Sequence, residues 1–134
     1  MIVADASVLV PALVDDGSAG ALARERLLGS DVHAPELADV EVLSVVRREV
    51  LGGRLSGERG AAALEDYVEL ALERHPHLLL LARAWELRDS VGAYDAQYDA
   101  QYVALAELLD VPLVTGDERL SGAPGLRCAV DLLR

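Results

Sequence analysis

The chain has 134 residues, about half of them hydrophobic, a single cysteine and a formal net charge of −11. That length suits one domain, residues 1–134, with a core of its own, and the lone Cys128, read as a buried thiol, excludes an intrachain disulfide. No uncharged apolar run approaches the roughly 18 to 20 residues that cross a bilayer, and Asp5 interrupts the N-terminal apolar residues where a signal peptide would need them, so a cytoplasmic location without a membrane is expected. In chain order, "MIVA" reads as a strand that stops at Asp5, and "SVLVPALV" as a helix with Ser7 at its N-cap. A short helix over 20–28 precedes a second strand, "DVHAP". The next helix, over 36–51, carries Leu37, Val40, Leu43, Val46 and Val50 at helical spacing toward the core and is closed by Gly52 and Gly53. Ser56 opens a further helix, and "ALERHPHL" is read as a third strand interrupted at Pro76, with "HPH" as a turn. Over 78–89, Leu78, Leu81, Ala82 and Trp85 share a face expected to be core. Gly92 breaks that segment before the long helix "YDAQYDAQYVALAELL", and "VPLVT" is a buried-type strand ending at Gly116 and Asp117. Strands alternating with helices imply right-handed crossovers and an α/β fold, a central parallel sheet flanked by helices on both faces.

In open sheets of this kind, sites lie at the carboxyl ends of the strands. Asp5 and Asp117 each follow an apolar strand directly, so neighbouring strands would bring two carboxylates to one edge. Glu41 borders the apolar stripe of its helix; by itself it could equally be a solvated flank residue or pair with Arg48. The doubled unit "YDAQ" sets Asp95 and Asp99 four residues apart, a rise of about 6 Å and a turn of roughly 40° beyond a full revolution, so both could point into one pocket at different depths. Acids without a histidine or cysteine cluster form an oxygen-rich site suited to Mg²⁺ or Mn²⁺ rather than zinc. Crowded carboxylates raise one another's pKa, and a bound dication relieves that repulsion. Paired dications can activate water and neutralise a leaving oxygen in phosphodiester hydrolysis. His33, His75 and His77 are not expected to form a metal set, because only two of them are close in sequence.

An acidic chain is poorly suited to broad attraction of nucleic acid, unless metals absorb some of the acids and arginines gather at the site. Every basic residue besides the histidines is arginine, the side chain suited to bidentate phosphate contact, and a basic protein partner would also suit this surface. A receiver-type or P-loop phosphoryl-transfer domain fits poorly, because the chain has no lysine and no glycine-rich phosphate loop.

The segments "VADAS", "DVEVLSVVRR", "YDAQYVALAE" and "PLVTGDERL", in this order, resemble the PIN-domain toxins called VapC, and the resemblance spans nearly the whole chain. It implies a PIN-like fold and a Mg²⁺- or Mn²⁺-dependent ribonuclease that acts on RNA as the toxin half of a toxin–antitoxin pair. It further implies a homodimer, with a dimer face expected on the early helices, and a VapB-type antitoxin partner. Carried over by motif, it assigns catalytic and metal-binding roles to Asp5, Glu41 and Asp117, with Ser7 and Thr115 as hydrogen-bonding neighbours. The fourth acid depends on how a four-residue insertion is aligned: from upstream it is Asp95, from downstream Asp99. Asp99 is favoured, because Tyr102, Leu105, Ala106 and Leu109 hold the helix register against the core and added length is absorbed at the helix start, which leaves Asp95 accessory. Arg47, Arg48, Arg88 and Arg119, near the motif acids in sequence, are candidates to contact RNA phosphates or acidic groups of the antitoxin. The alternatives are a PIN-like module that binds a partner without catalysis and a non-toxin PIN nuclease acting in RNA processing.

Overall fold

A computed structural model describes residues 1–91 and 96–134; Gly92 and Asp95 lie outside the described residues. The elements run β1 (Ile2–Ala4), α1 (Ala6–Val14), α2 (Ser18–Leu27), β2 (Val32–Pro35), α3 (Leu37–Leu51), α4 (Gly57–Glu69) and β3 (Leu72–His75), then a 3₁₀ turn (Leu78–Leu80). They continue with α5 (Leu81–Glu86), α6 (Ala96–Leu109), β4 (Leu113–Thr115), α7 (Glu118–Ser121) and β5 (Val130–Leu132). The sheet order is β3-β2-β1-β4-β5, and every neighbouring pair is parallel. The chain winds outward from β1 to β3, crosses back and continues through β4 to β5. The order therefore reverses between β1 and β4, the switch point at which a crevice opens beyond the strand ends. Parallel strands buried on both faces read as continuous apolar runs, and "IVA" and "LVT" do so with every residue buried.

The α/β expectation holds, while several local expectations need correction. The N-cap of α1 is Asp5, not Ser7: the Asp5 side chain accepts the Ser7 backbone N–H, so the carboxylate occupies the capping position. In α3 the buried stripe is Ala38, Val42 and Val46, spaced four apart, whereas Val40 and Leu43 face outward at 68% and 50% exposure. A small residue at Ala38 lets the helix approach the sheet closely, which sets a register that apolar spacing alone did not resolve. That register places Glu41 on the flank of the buried stripe. The face of Leu78, Leu81, Ala82 and Trp85 is likewise exposed, with Trp85 at 68%, and the buried side chains of this segment are Leu80 and Leu87. "HPH" is not a simple turn either, since His75 ends β3 and His77 precedes the 3₁₀ turn. Strand β5 and the short α7 had no counterpart in the sequence reading, and Cys128 is only half-buried. As expected, Tyr102, Leu105 and Ala106 are fully buried.

One ion pair fastens the edge of this architecture. Arg83 of α5 donates to both carboxylate oxygens of Glu107 on α6, at 2.6 and 3.1 Å, and to the Gly125 carbonyl at 2.8 Å, while Glu107 also accepts the Arg127 backbone N–H at 2.7 Å. The two side chains are only 18% and 9% exposed, so removing one leaves a largely desolvated charge. Glu107→Ala is expected to destabilise the protein by about 2 kcal/mol, below the full effect of breaking a deeply buried pair because water still reaches Arg83. Urea unfolding measures this; an unchanged midpoint would mean that the pair contributes nothing net. Among the described residues, no single helix is long and apolar enough to cross a membrane.

Candidate active site

Asp5 leaves β1 at the switch point and is 5% exposed. Its Oδ1 accepts the Ser7 backbone N–H at 3.0 Å and the Ser7 hydroxyl, and its Oδ2 accepts the Thr115 hydroxyl at the end of β4. Both hydroxyls also accept hydrogen bonds: Ser7 Oγ from the Gly116 N–H at 2.7 Å, Thr115 Oγ1 from the Asp117 N–H at 3.0 Å. The two short polar side chains therefore join the end of β1 to the end of β4 and fix both rotamers of the carboxylate. Gly116 permits this approach, since a Cβ there would lie 3.3 Å from Ser7 Oγ and 3.4 Å from the Ser7 carbonyl oxygen. Asp117 caps α7 by accepting the Arg119 N–H at 2.9 Å and also receives the Arg119 guanidinium, Nη2 to Oδ2 at 2.7 Å.

Asp5 and Asp117, the N-caps of α1 and α7 just beyond β1 and β4, line one cavity of about 630 Å³ with Glu41 of α3 and Asp99 of α6, together with Ser7, Arg48 and Arg119. Four acids far apart in sequence thus meet. Arg54 and Tyr102 belong to the same wall, although sequence reasoning gave them no part in the site. The signal for Tyr102 was its place one turn beyond Asp99; Arg54, held by Glu49 at 2.9 Å, had none. Arg47 and Arg88 do not line this cavity, and Arg88 lies instead over the Trp85 ring, 4.5 Å from its centroid.

The electrostatics record the crowding. Burial, and after it the charges of Asp5, Asp117 and Glu41, push the Asp99 carboxyl up to about 7, against a smaller opposing effect of Arg119. Burial also raises Asp5, although hydrogen bonds from Ser7 and Thr115 pull the other way. Asp117 is lowered by its hydrogen bonds to Arg119. Burial and then Glu41 raise the Tyr102 phenol. A like-charged set of carboxylates, with a guanidinium of the chain already drawn among them, is a surface that favours added positive charge. Because every donor is a carboxylate oxygen, the set fits a hard divalent cation.

The helices that carry Glu41 and Asp99 are clasped by His77. Its Nε2 accepts the Leu37 N–H in the first turn of α3 at 3.0 Å, which assigns the ring proton to Nδ1, 3.2 Å from Gln101 Oε1 on α6. The neighbouring His75 carbonyl accepts the Glu36 N–H at 2.9 Å, so the end of β3 fixes the start of α3.

Comparison with known proteins gives the family and the fold. The PIN domain family matches residues 2–126. The chain belongs to the PIN-domain family. This PIN domain is of the VapC type: it is 44% identical to Ribonuclease VapC1 of Mycobacterium tuberculosis over 98% of the chain and 97% of that protein. Its fold is shared with a crystal structure of VapC20 of the same organism, described as a Sarcin-Ricin loop cleaving toxin, with a TM-score of 0.70 at 17% identity, covering 94% of this chain and 96% of that one. It is shared too with a toxin–antitoxin complex from Klebsiella pneumoniae, with a TM-score of 0.63 at 18% identity, covering 93% and 94%.

Proposed function

We propose that this PIN domain, taking in the whole chain, is a Mg²⁺- or Mn²⁺-dependent endoribonuclease toxin of the cytoplasm, held in check by a VapB-type antitoxin. The observation that carries the reading is the convergence of Asp5, Glu41, Asp99 and Asp117 on one cavity at the β1–β4 switch point, where burial, and after it the charges of the other three acids, lifts Asp99 to about 7. Asp5, Glu41, Asp117 and Asp99 would hold the metal, with Ser7 and Thr115 fixing Asp5. When bound, the dication supplies Lewis-acid polarisation of a phosphodiester and acidifies a water molecule. The chain's own part is to orient. The Ser7 and Thr115 hydroxyls keep both oxygens of Asp5 in place without reorganisation, and Arg48 and Arg119 on the cavity wall are placed to receive phosphate oxygens or, in the inhibited state, acidic groups of the antitoxin. Arg47, exposed on α3 beside Arg48, would serve as an outer contact to the same partners, whereas Arg88, stacked on Trp85, would lie at the dimer face. The homodimer would cover the exposed Leu78, Leu79, Leu81 and Trp85 rather than a face of the first two helices.

The test is cleavage of RNA with Mn²⁺ and with chelator, on the wild type and on two alanine variants. Asp99→Ala is expected to lose metal affinity and cleavage by 100-fold or more, on the order of 3 kcal/mol, whereas Asp95→Ala keeps most of both. The opposite ranking would make Asp95 the ligand. A wild type that binds RNA but never cuts it would establish a binding module instead.

A further inference from the structure

We infer a second divalent-metal site, formed by His33, Glu73 and His75 across the β2–β3 pair and separate from the carboxylate cavity. Among the described residues these three donors have ligand atoms that all lie within 4.8 Å of one another. The parallel register sets His33 opposite Glu73 and Pro35 opposite His75. Because side chains alternate along a strand, His33, Glu73 and His75 project from the same face of the sheet. His33 Nδ1 lies 2.8 Å from His75 Nε2 and 3.7 Å from Glu73 Oε2. None of the three lines the carboxylate cavity.

The donor set decides the class of ion. Two imidazoles and one carboxylate suit a borderline first-row dication such as Zn²⁺, in contrast to the all-oxygen set at the strand ends. Tetrahedral coordination with metal–nitrogen bonds of about 2.0 to 2.1 Å needs ligand nitrogens roughly 3.3 Å apart, so the rings have to separate by about half an ångström. The exposure gradient fits such a site: His33 is 4% exposed at its base, His75 is half-buried and the Glu73 side chain is 69% exposed, leaving an outward position for water. In the metal-free state the two imidazoles share a proton between His33 Nδ1 and His75 Nε2. A bound ion takes the lone pairs of both of these nitrogens, so the ring that donates between them would carry its hydrogen on its outer nitrogen instead, His33 Nε2 or His75 Nδ1.

The consequence is mechanical. Strand β3 is the edge of the sheet, and its end fixes the start of α3 through the His75 carbonyl and His77. An ion bridging His33 to His75 therefore pins the edge strand, and its binding energy adds to folding stability.

The experiment is thermal unfolding and Co²⁺ absorption on the full chain, with Zn²⁺ and Co²⁺ as probes. Zn²⁺ is expected to raise the midpoint by several degrees in the wild type and Co²⁺ to give the visible bands of a tetrahedral site. Glu73→Gln, an exposed change that leaves the fold and the RNA cleavage rate intact, weakens Zn²⁺ at least tenfold, and His75→Gln abolishes the Co²⁺ bands. Asp117→Asn leaves both signals in place, which separates this site from the carboxylate cavity. Equal Zn²⁺ shifts in the wild type, Glu73→Gln and His75→Gln, or signals lost only in Asp117→Asn, would overturn the assignment.

Discussion

Asp5→Asn is expected to lower metal-dependent RNA cleavage by on the order of 1000-fold or more, about 4 kcal/mol of transition-state stabilisation, while the protein stays folded. The charge is lost but the shape is kept. Both oxygens of Asp5 accept hydrogen bonds, from the Ser7 N–H, the Ser7 hydroxyl and the Thr115 hydroxyl, so an amide must turn its NH₂ toward one of these donors. A hydroxyl can rotate to accept it, at a cost of about 1 kcal/mol, partly offset because a buried charge near Asp117 has been removed. The measurement pairs cleavage kinetics in Mn²⁺ with a melting curve. A variant that unfolds would leave the catalytic role undecided, so Ser7→Ala and Thr115→Val accompany it; each removes one hydroxyl donor while leaving the charge, and cleavage should fall less than in Asp5→Asn. Full activity in a folded Asp5→Asn protein would remove this carboxylate from the reaction.

Metal-free protein is expected to lose stability as pH rises from about 4 to about 7, and saturating Mn²⁺ is expected to abolish that dependence. The sign follows from Asp99, whose carboxyl lies at about 7 in the folded chain against an ordinary 3.8. Between those values the folded state binds a proton that the unfolded state has released. Stability is therefore fully present below the unfolded value and declines as Asp99 is forced to ionise among Asp5, Asp117 and Glu41. Asp5, raised mainly by burial, adds a contribution of the same sign. A bound dication reverses the preference, so apparent Mn²⁺ affinity should climb up to tenfold per pH unit below about 7 and level off above it. In Asp99→Asn both trends should flatten, and the margin by which the metal-free variant melts above the wild type should widen from about pH 4 to about pH 7 and stay constant above it. Parallel melting profiles for the two proteins would show that burial and the neighbouring acids do not raise Asp99.

The two results pull in opposite directions. Carboxylates gathered for a cation are poorly matched to one another without it, so the site costs the metal-free fold stability and recovers it on binding. Rigid hydroxyl donors at Asp5 and a guanidinium at Asp117 keep the arrangement from relaxing.

Much of this was legible in the sequence, because the signals were local. "MIVA" before Asp5 and "VPLVT" before Asp117 mark buried strands that end in an acid, and alternation with helices was enough for a parallel sheet with its site at the strand ends. Ser56 capped α4 as read, since its hydroxyl needs only the N–H three residues on. Surfaces were harder. Val40, Leu43 and Trp85 have the spacing of core residues yet face outward, because which side of a helix is covered depends on what packs against it, and that is set by distant chain. Strand β5 is half-buried and only three residues long, too short for an alternation pattern to stand out.

The sequence alone determined the kinds of chemistry available: acids at strand ends, arginine as the only permanent side-chain cation, and no lysine or phosphate loop. Tertiary structure decided which of these groups meet. The β1–β4 pairing brings Asp5 to Thr115 across 110 residues, and the β2–β3 register brings His33 to His75 across 42. Contacts at such separations are fixed by sheet order and helix packing, which no local pattern encodes, because a strand's neighbour is chosen by the whole buried core rather than by the residues beside it.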